Sequence, residues 1–93
     1  MDLPVNYEKI HYRERKAVRE EYIKVQNGLC YYCKAPLTEE PTELVRNLDI
    51  NDKLFPESFF KNPVHLHHSH DTGMTIGAVH CFCNAVLWQY HGE

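Results

Sequence analysis

No stretch of this 93-residue chain approaches the roughly 18 consecutive apolar residues of a membrane-spanning helix, which excludes a helical membrane protein. A basic-then-apolar leader is also missing, so the expectation is a protein that is not exported and keeps its thiols reduced in the cytoplasm. Excess positive charge is lacking too. Ten Lys and Arg against thirteen Asp and Glu give a formal charge of −3, which argues against a strong polyanion binder. Hydrophobic residues at 43% and charged residues at 25% exclude a fully disordered chain. The length leaves room for one domain, residues 1–93, whose core buries only ~60–65% of its unfolded surface.

What is present in quantity is metal-binding chemistry. The chain has four cysteines and seven histidines, and five of the histidines and two of the cysteines fall between His65 and Cys83. A core this small usually needs a disulfide or metal staple. Reduced thiols make metal the better reading.

Along the chain, Asn6 is placed to cap a helix over 7–27, a segment free of Pro and Gly that Gly28 would terminate. Val18, Tyr22, Val25 and Leu29 form its apolar stripe, and Glu20 precedes Lys24 at a favourable helical spacing. Arg13, Arg15, Lys16 and Arg19 crowd its middle. A Cys30-x2-Cys33 turn follows. Residues 38–63 read as an acidic insertion punctuated by Pro41, Pro56 and Pro63, with Leu44, Leu48, Phe55 and Phe59 anchoring short helical turns. Val64 to Val79 reads as a hairpin: Val64, Leu66 and His68 alternate on one strand, Asp71-Thr72-Gly73 turns, and Met74, Ile76 and Ala78 alternate on the return. A closing helix runs from Cys81 to about His91.

Two thiolates on a Cys-x2-Cys turn, completed by a second pair far along the chain, give a tetrahedral zinc shell. His80, Cys81 and Cys83 compete for the second pair. His80-x2-Cys83 repeats the first spacing, so Cys30, Cys33, His80 and Cys83 are the favoured ligands of a structural Zn²⁺, with Cys81 as the alternative. The second constellation is His67-His68-Ser69-His70-Asp71-Thr72-Gly73 with Asn84. Adjacent strand residues point to opposite faces, so one imidazole can meet a metal while its neighbour meets water or phosphate. Metal-assisted phosphodiester hydrolysis needs that division between a Lewis acid and a base, and imidazole suits the base role near neutral pH.

Taken together, Cys30-x2-Cys33, His67-His68-x-His70-x-Thr72-Gly73 and His80-x2-Cys83-Asn84 resemble the HNH (ββα-metal) endonucleases, in the branch typified by recombination endonuclease VII. That branch typically reads Asp-His-x-His-x-Thr-Gly and then Cys-x2-Cys-Asn. The match also takes in Gln26, Gly28, Leu37 and Gly77, and covers residues 26–37 and 64–88. The resemblance implies an α+β fold: a small ββα-metal, treble-clef-like core over 64–91 with a structural zinc, preceded by the N-terminal helix.

It further implies a metal-dependent DNA endonuclease of phage or prokaryotic type, acting in the host cytoplasm. His68 would be the general base that activates water. His67, where the family usually has Asp, would hold the catalytic divalent ion (Mg²⁺, Mn²⁺ or Ni²⁺) together with Asn84. His70 would orient the phosphate, and His91 is an additional candidate ligand. The expected partner is DNA, met by a monomer or homodimer through Arg13, Arg15, Lys16 and Arg19, with the acidic insertion facing away from it or contacting a protein. The competing class is a non-catalytic zinc module that binds nucleic acid or protein, and such a module has no use for both His68 and Asn84.

Overall fold

The first helix, α1, spans Tyr12–Val25, later than Asn6 and Tyr7 predict. Its start is set by a capping box: the His11 imidazole Nδ1 accepts from the Arg13 amide (3.2 Å) and the Glu14 carboxylate accepts from the His11 amide (3.3 Å). The preceding residues have other backbone partners. Tyr7 N–H donates to Gly73 O and Thr75 N–H donates to Val5 O, each at 2.8 Å, so Val5–Tyr7 extends the hairpin edge instead of starting a helix. The computed structural model describes residues 2–92; Met1 and Glu93, the ends of the expected 1–93 domain, lie outside the described residues.

Val18 and Tyr22 face the core, whereas Val25 and Leu29 are exposed, so the expected apolar stripe stops at Tyr22. The reason is the helix end. The chain reverses through Asn27 and Gly28, both at positive φ, and Gln26 turns inward. Its side-chain amide pairs with β2 like a short strand: Ala78 N–H donates to Oε1 (2.9 Å), and Nε2 donates to Ala78 O (3.0 Å) and Leu29 O (2.7 Å). Gly77 makes that approach fit. A Cβ there would lie 2.7 Å from Gln26 Oε1 and 3.0 Å from Tyr31 Cβ. Glu20 and Lys24 form no ion pair among the described residues.

In the insertion, the short helical turns are α2 (Glu43–Arg46) and two 3-10 turns (Asp52–Leu54 and Glu57–Phe60). Val45 is the buried anchor, while Leu44 is 81% exposed, which corrects the expected role of Leu44. The segment is fastened to the last helix. Asn51 N–H donates to Gln89 Oε1 (2.8 Å), and Asp49 O accepts from Gln89 Nε2 (2.9 Å) and Tyr90 OH (2.6 Å). Phe55, Phe59 and Phe60 cluster with Trp88. The one ion pair described, Arg46–Glu40 at 3.1 Å, is exposed and contributes little.

Strands β1 (Val64–His68) and β2 (Thr75–His80) form an antiparallel pair, and α3 (Cys81–His91) follows directly, ending at left-handed Gly92. Register runs Val64↔His80 to His67↔Gly77, then slips to His68↔Thr75, so β2 carries one extra residue beside the two histidines. The fold is therefore α+β. Its core lies where α1, α3 and the Cys30–Leu37 segment meet the hairpin, with Val79 and Val86 fully buried. Tyr22 OH bonds Thr75 Oγ1 (2.8 Å), which also accepts from Val5 N–H (3.0 Å), tying helix, strand and N-terminal segment together. α1 and α3 pack on the hairpin and not on each other, which leaves a cleft between them. Among the described residues no helix is long and apolar enough to cross a membrane.

Candidate metal centre and histidine cleft

The Cys30–Cys33 turn is closed by Cys30 N–H donating to Ala35 O (2.8 Å) and Lys34 N–H donating to Cys30 O (3.1 Å), with Lys34 at φ 69°. Tyr31 N–H donates to Ala78 O (2.9 Å) and docks the turn on β2. At the far end of β2, His80 caps α3, whose first turn carries Cys83. These contacts gather Cys30, Cys33, His80 and Cys83, whose ligand atoms all lie within 4.8 Å of one another.

The group fits a tetrahedral metal such as zinc. Zn–S and Zn–N bonds of about 2.3 and 2.05 Å imply an S···N edge near 3.6 Å. The observed edges to His80 Nδ1 are 3.4 Å from Cys33 and 3.6 Å from Cys83. His80 is held in the matching tautomer. Its Nε2–H donates to Pro36 O and Glu39 O, both at 2.9 Å, so the Nδ1 lone pair faces the sulfurs. Hydrogen bonding from Cys83 pulls the Cys30 thiol down to about 4, and the Cys83 thiol is raised by the same contact and by burial. A cation in this centre removes the need for a shared proton. Cys81, the alternative ligand, stays outside: burial raises its thiol, and it lies beside Phe82 and Pro63.

Opposite this centre, the cleft encloses a cavity of about 510 Å³. One wall is the Tyr12, Arg15, Lys16, Arg19 face of α1, an i, i+3, i+4, i+7 set. The floor is β1, with His65, His67 and His68, and His70 stands at the edge. The second 3-10 turn and α3 supply the other wall through Phe59, Asn62, Asn84 and Trp88. Among the described residues no carboxylate lines it.

Asn84 lies between two imidazoles. Its Oδ1 accepts from His67 Nδ1–H (3.0 Å), and its Nδ2 donates to His65 Nδ1 (3.1 Å). His67 is nearly fully buried. His68 stacks on Tyr7, with ring centroids 3.9 Å apart and planes within 5°. The Arg15 guanidinium lies 4.0 Å over the same Tyr7 ring, so the tyrosine is sandwiched. Arg15 Nε is buried and has no hydrogen-bond acceptor among the described residues, a costly condition that an anion in the cleft would relieve. Burial first, then His70 and His67, lowers the His68 pKa from the ordinary imidazole value against an opposing pull from Glu8, and burial likewise lowers that of His65. Both rings are neutral at pH 7.

Of the residues named from sequence, His67, His68, His70, Asn84, Arg15, Lys16 and Arg19 share this cleft. Arg13 does not; it extends over Tyr12 at 5.8 Å, because helical geometry turns it away from Arg15 and Arg19. His91 does not either. It lies at the exposed end of α3 beside Tyr32, whose hydroxyl is 3.4 Å from its Nε2. His67 and His68, expected on opposite faces of β1, both line the cavity, as do all five residues of that strand. The insertion does not turn wholly away, since Phe59 and Asn62 belong to the wall while its carboxylates do not.

Sequence reasoning missed Tyr7, His65, Phe59 and Trp88. Only His65 carried a signal, its place two residues before His67 on the same strand face. Compared with protein-family models, with curated proteins and with solved structures, the chain finds no match.

Proposed function

We propose that the protein is a metal-dependent DNA endonuclease of the HNH, ββα-metal type, hydrolysing phosphodiester bonds with His68 as general base. The observation that carries this reading is the meeting of His68 and Asn84 in one cleft that also holds three cations and no carboxylate. A purely structural zinc module has no use for that arrangement. The succession β1–β2–α3, with His67 and His68 on β1 and Asn84 on α3, supports the ββα reading.

His67 and Asn84 would hold the catalytic ion. Binding it would displace the Nδ1 proton of His67 that now bridges to Asn84 Oδ1 at 3.0 Å, freeing the imidazole lone pair and the carboxamide oxygen as ligands. When bound, a divalent cation supplies Lewis-acid stabilisation of the charge on the phosphate and leaving oxygens. Among the described residues, three His, Cys or carboxylate ligand atoms gather only at the Cys30 centre. An imidazole nitrogen and a carboxamide oxygen, with no carboxylate among the described lining residues, would suit Mn²⁺ or Ni²⁺ as readily as Mg²⁺.

His68 accepts the proton of the attacking water. Its neutral state at pH 7 and its orientation against Tyr7 prepare it for that role. Arg15, Lys16 and Arg19 neutralise the phosphates flanking the scissile bond. The Cys30, Cys33, His80, Cys83 centre does no chemistry; it anchors β2 and α3, so that Asn84 stays in register with β1.

The test is cleavage of a supercoiled plasmid and of a single-stranded DNA circle with Mg²⁺, Mn²⁺ or Ni²⁺. His68→Ala should lower the rate 10²–10⁴-fold while its circular dichroism and zinc content stay unchanged. No cleavage of either substrate with any of the three ions would overturn the proposal, as would full activity in the variant.

A further inference from the structure

The two walls of the cleft differ in chemistry. α1 contributes Arg15, Lys16 and Arg19, whereas the facing wall contributes Phe59, Asn62 and Trp88 and no cation. A duplex hides the faces of its bases, so an exposed aromatic wall finds nothing in it to stack on. An unpaired strand has one phosphate edge and one base edge. We propose that the cleft takes an unpaired DNA strand, with its phosphates along Arg15, Lys16 and Arg19 and a base stacked on Trp88. This deepens the nuclease reading and rests on it for the choice of DNA.

The stacking wall is accessible and braced. Trp88 is 44% exposed, and its ring meets Phe55 edge to face at 5.5 Å and 71°. Tyr12 is 65% exposed at the other rim and offers a second ring to a neighbouring base. The cavity of about 510 Å³ falls within the ~300–1,000 Å³ of pockets that enclose small molecules, the scale of a nucleotide and not of a duplex. Arg15 Nε, without an acceptor among the described residues, gains one from a phosphate oxygen.

Trp88 is the only tryptophan of the chain, so its emission reports this contact directly. The full-length His68→Ala protein is titrated, without added catalytic metal, with an oligothymidylate and with a duplex hairpin of equal phosphate number. The oligothymidylate should quench Trp88 and bind at least tenfold more tightly than the duplex, and log K should fall with log salt at a slope of about −2 for three contacted phosphates. Trp88→Ala should weaken the single strand about 5- to 100-fold and change duplex binding less than twofold, while Trp88→Phe restores most of the loss. Tyr12→Ala, at a more exposed position, should give a smaller loss of the same selectivity and serves where Trp88→Ala unfolds.

Equal or tighter duplex binding overturns the proposal, as does equal loss of both ligands in Trp88→Ala. Cleavage is not read in this titration. Loss of strand selectivity beside intact plasmid cleavage therefore refutes the strand preference alone. Selective binding by a chain that cuts neither substrate refutes the nuclease reading alone.

Discussion

His80 and His67 are both buried histidines of one hairpin, yet their surroundings are opposite. His80 is enclosed by three sulfurs on one nitrogen and two carbonyl oxygens on the other. His67 lies among neighbouring imidazoles, an amide and the cationic face of α1. The first environment is rich in sulfur and oxygen donor atoms supplied by the chain itself, so a cation there would consolidate the fold. The second has Arg15, Lys16 and Arg19 and no carboxylate among its described lining residues, so its field favours an anion. The same side chain thus sits in two different chemical settings, and the partner atoms make the difference.

The largest effect should come from breaking the sulfur pole. Cys30→Ser or a strong zinc chelator should unfold the domain, because apparent zinc-binding energies of about 10–16 kcal/mol match or exceed the ~5–15 kcal/mol stability of a whole domain. Melting followed by circular dichroism, with metal content measured alongside, checks this. A variant that keeps both its zinc and its melting point breaks the comparison.

At the other pole, the pH profile sharpens it. Burial holds the His68 pKa below the usual imidazole value, so the neutral base persists as pH falls through about 6.5. The acid limb of cleavage should therefore lie below pH 6.5; a limb centred well above 7 assigns the base elsewhere. Stability has the same sign. The unfolded chain takes up protons on His65 and His68 before the folded one does, so their contribution is present above about pH 6.5 and declines below it. His65→Gln should flatten that decline in melting temperature between pH 7 and 5.

A smaller effect, felt at both poles, should follow from Gly77→Ala. Position 77 pairs with His67 across the hairpin and touches Gln26 and Tyr31 beside the metal centre. An added methyl should cost about 1–3 kcal/mol, read from denaturant unfolding, with the His67–Asn84 geometry displaced as well. A neutral result would show that the two regions are not joined through β2.

Much of this plan was legible in the sequence. The Cys30-x2-Cys33 and His80-x2-Cys83 spacings, the turn at Gly73 and the helix after Cys81 are local signals, and local geometry expresses them directly. The late start of α1 was not legible, because His11 is an unusual cap and Asn6 resembles a better one. What decides is the β2 edge, which recruits Val5–Tyr7 by backbone hydrogen bonds that no local pattern announces. Val45 replaced Leu44 for a similar reason: a one-turn helix has no periodicity from which to choose its inner face. Tyr7, Phe59 and Trp88 reached the cleft through long-range packing of aromatic rings, and composition alone does not direct such rings to a site.

Asn84 makes the two rings it joins unequal. A carboxamide has one donating end and one accepting end, so His65 must offer it a bare nitrogen while His67 offers a protonated one. Turning the amide over would exchange those roles, so a ligand that fixes one ring's tautomer dictates the other's. A carboxylate at this position could only accept, and both rings would then point N–H groups at it. The tautomers of the two rings on the floor of the cleft are therefore set by the choice of amide over acid.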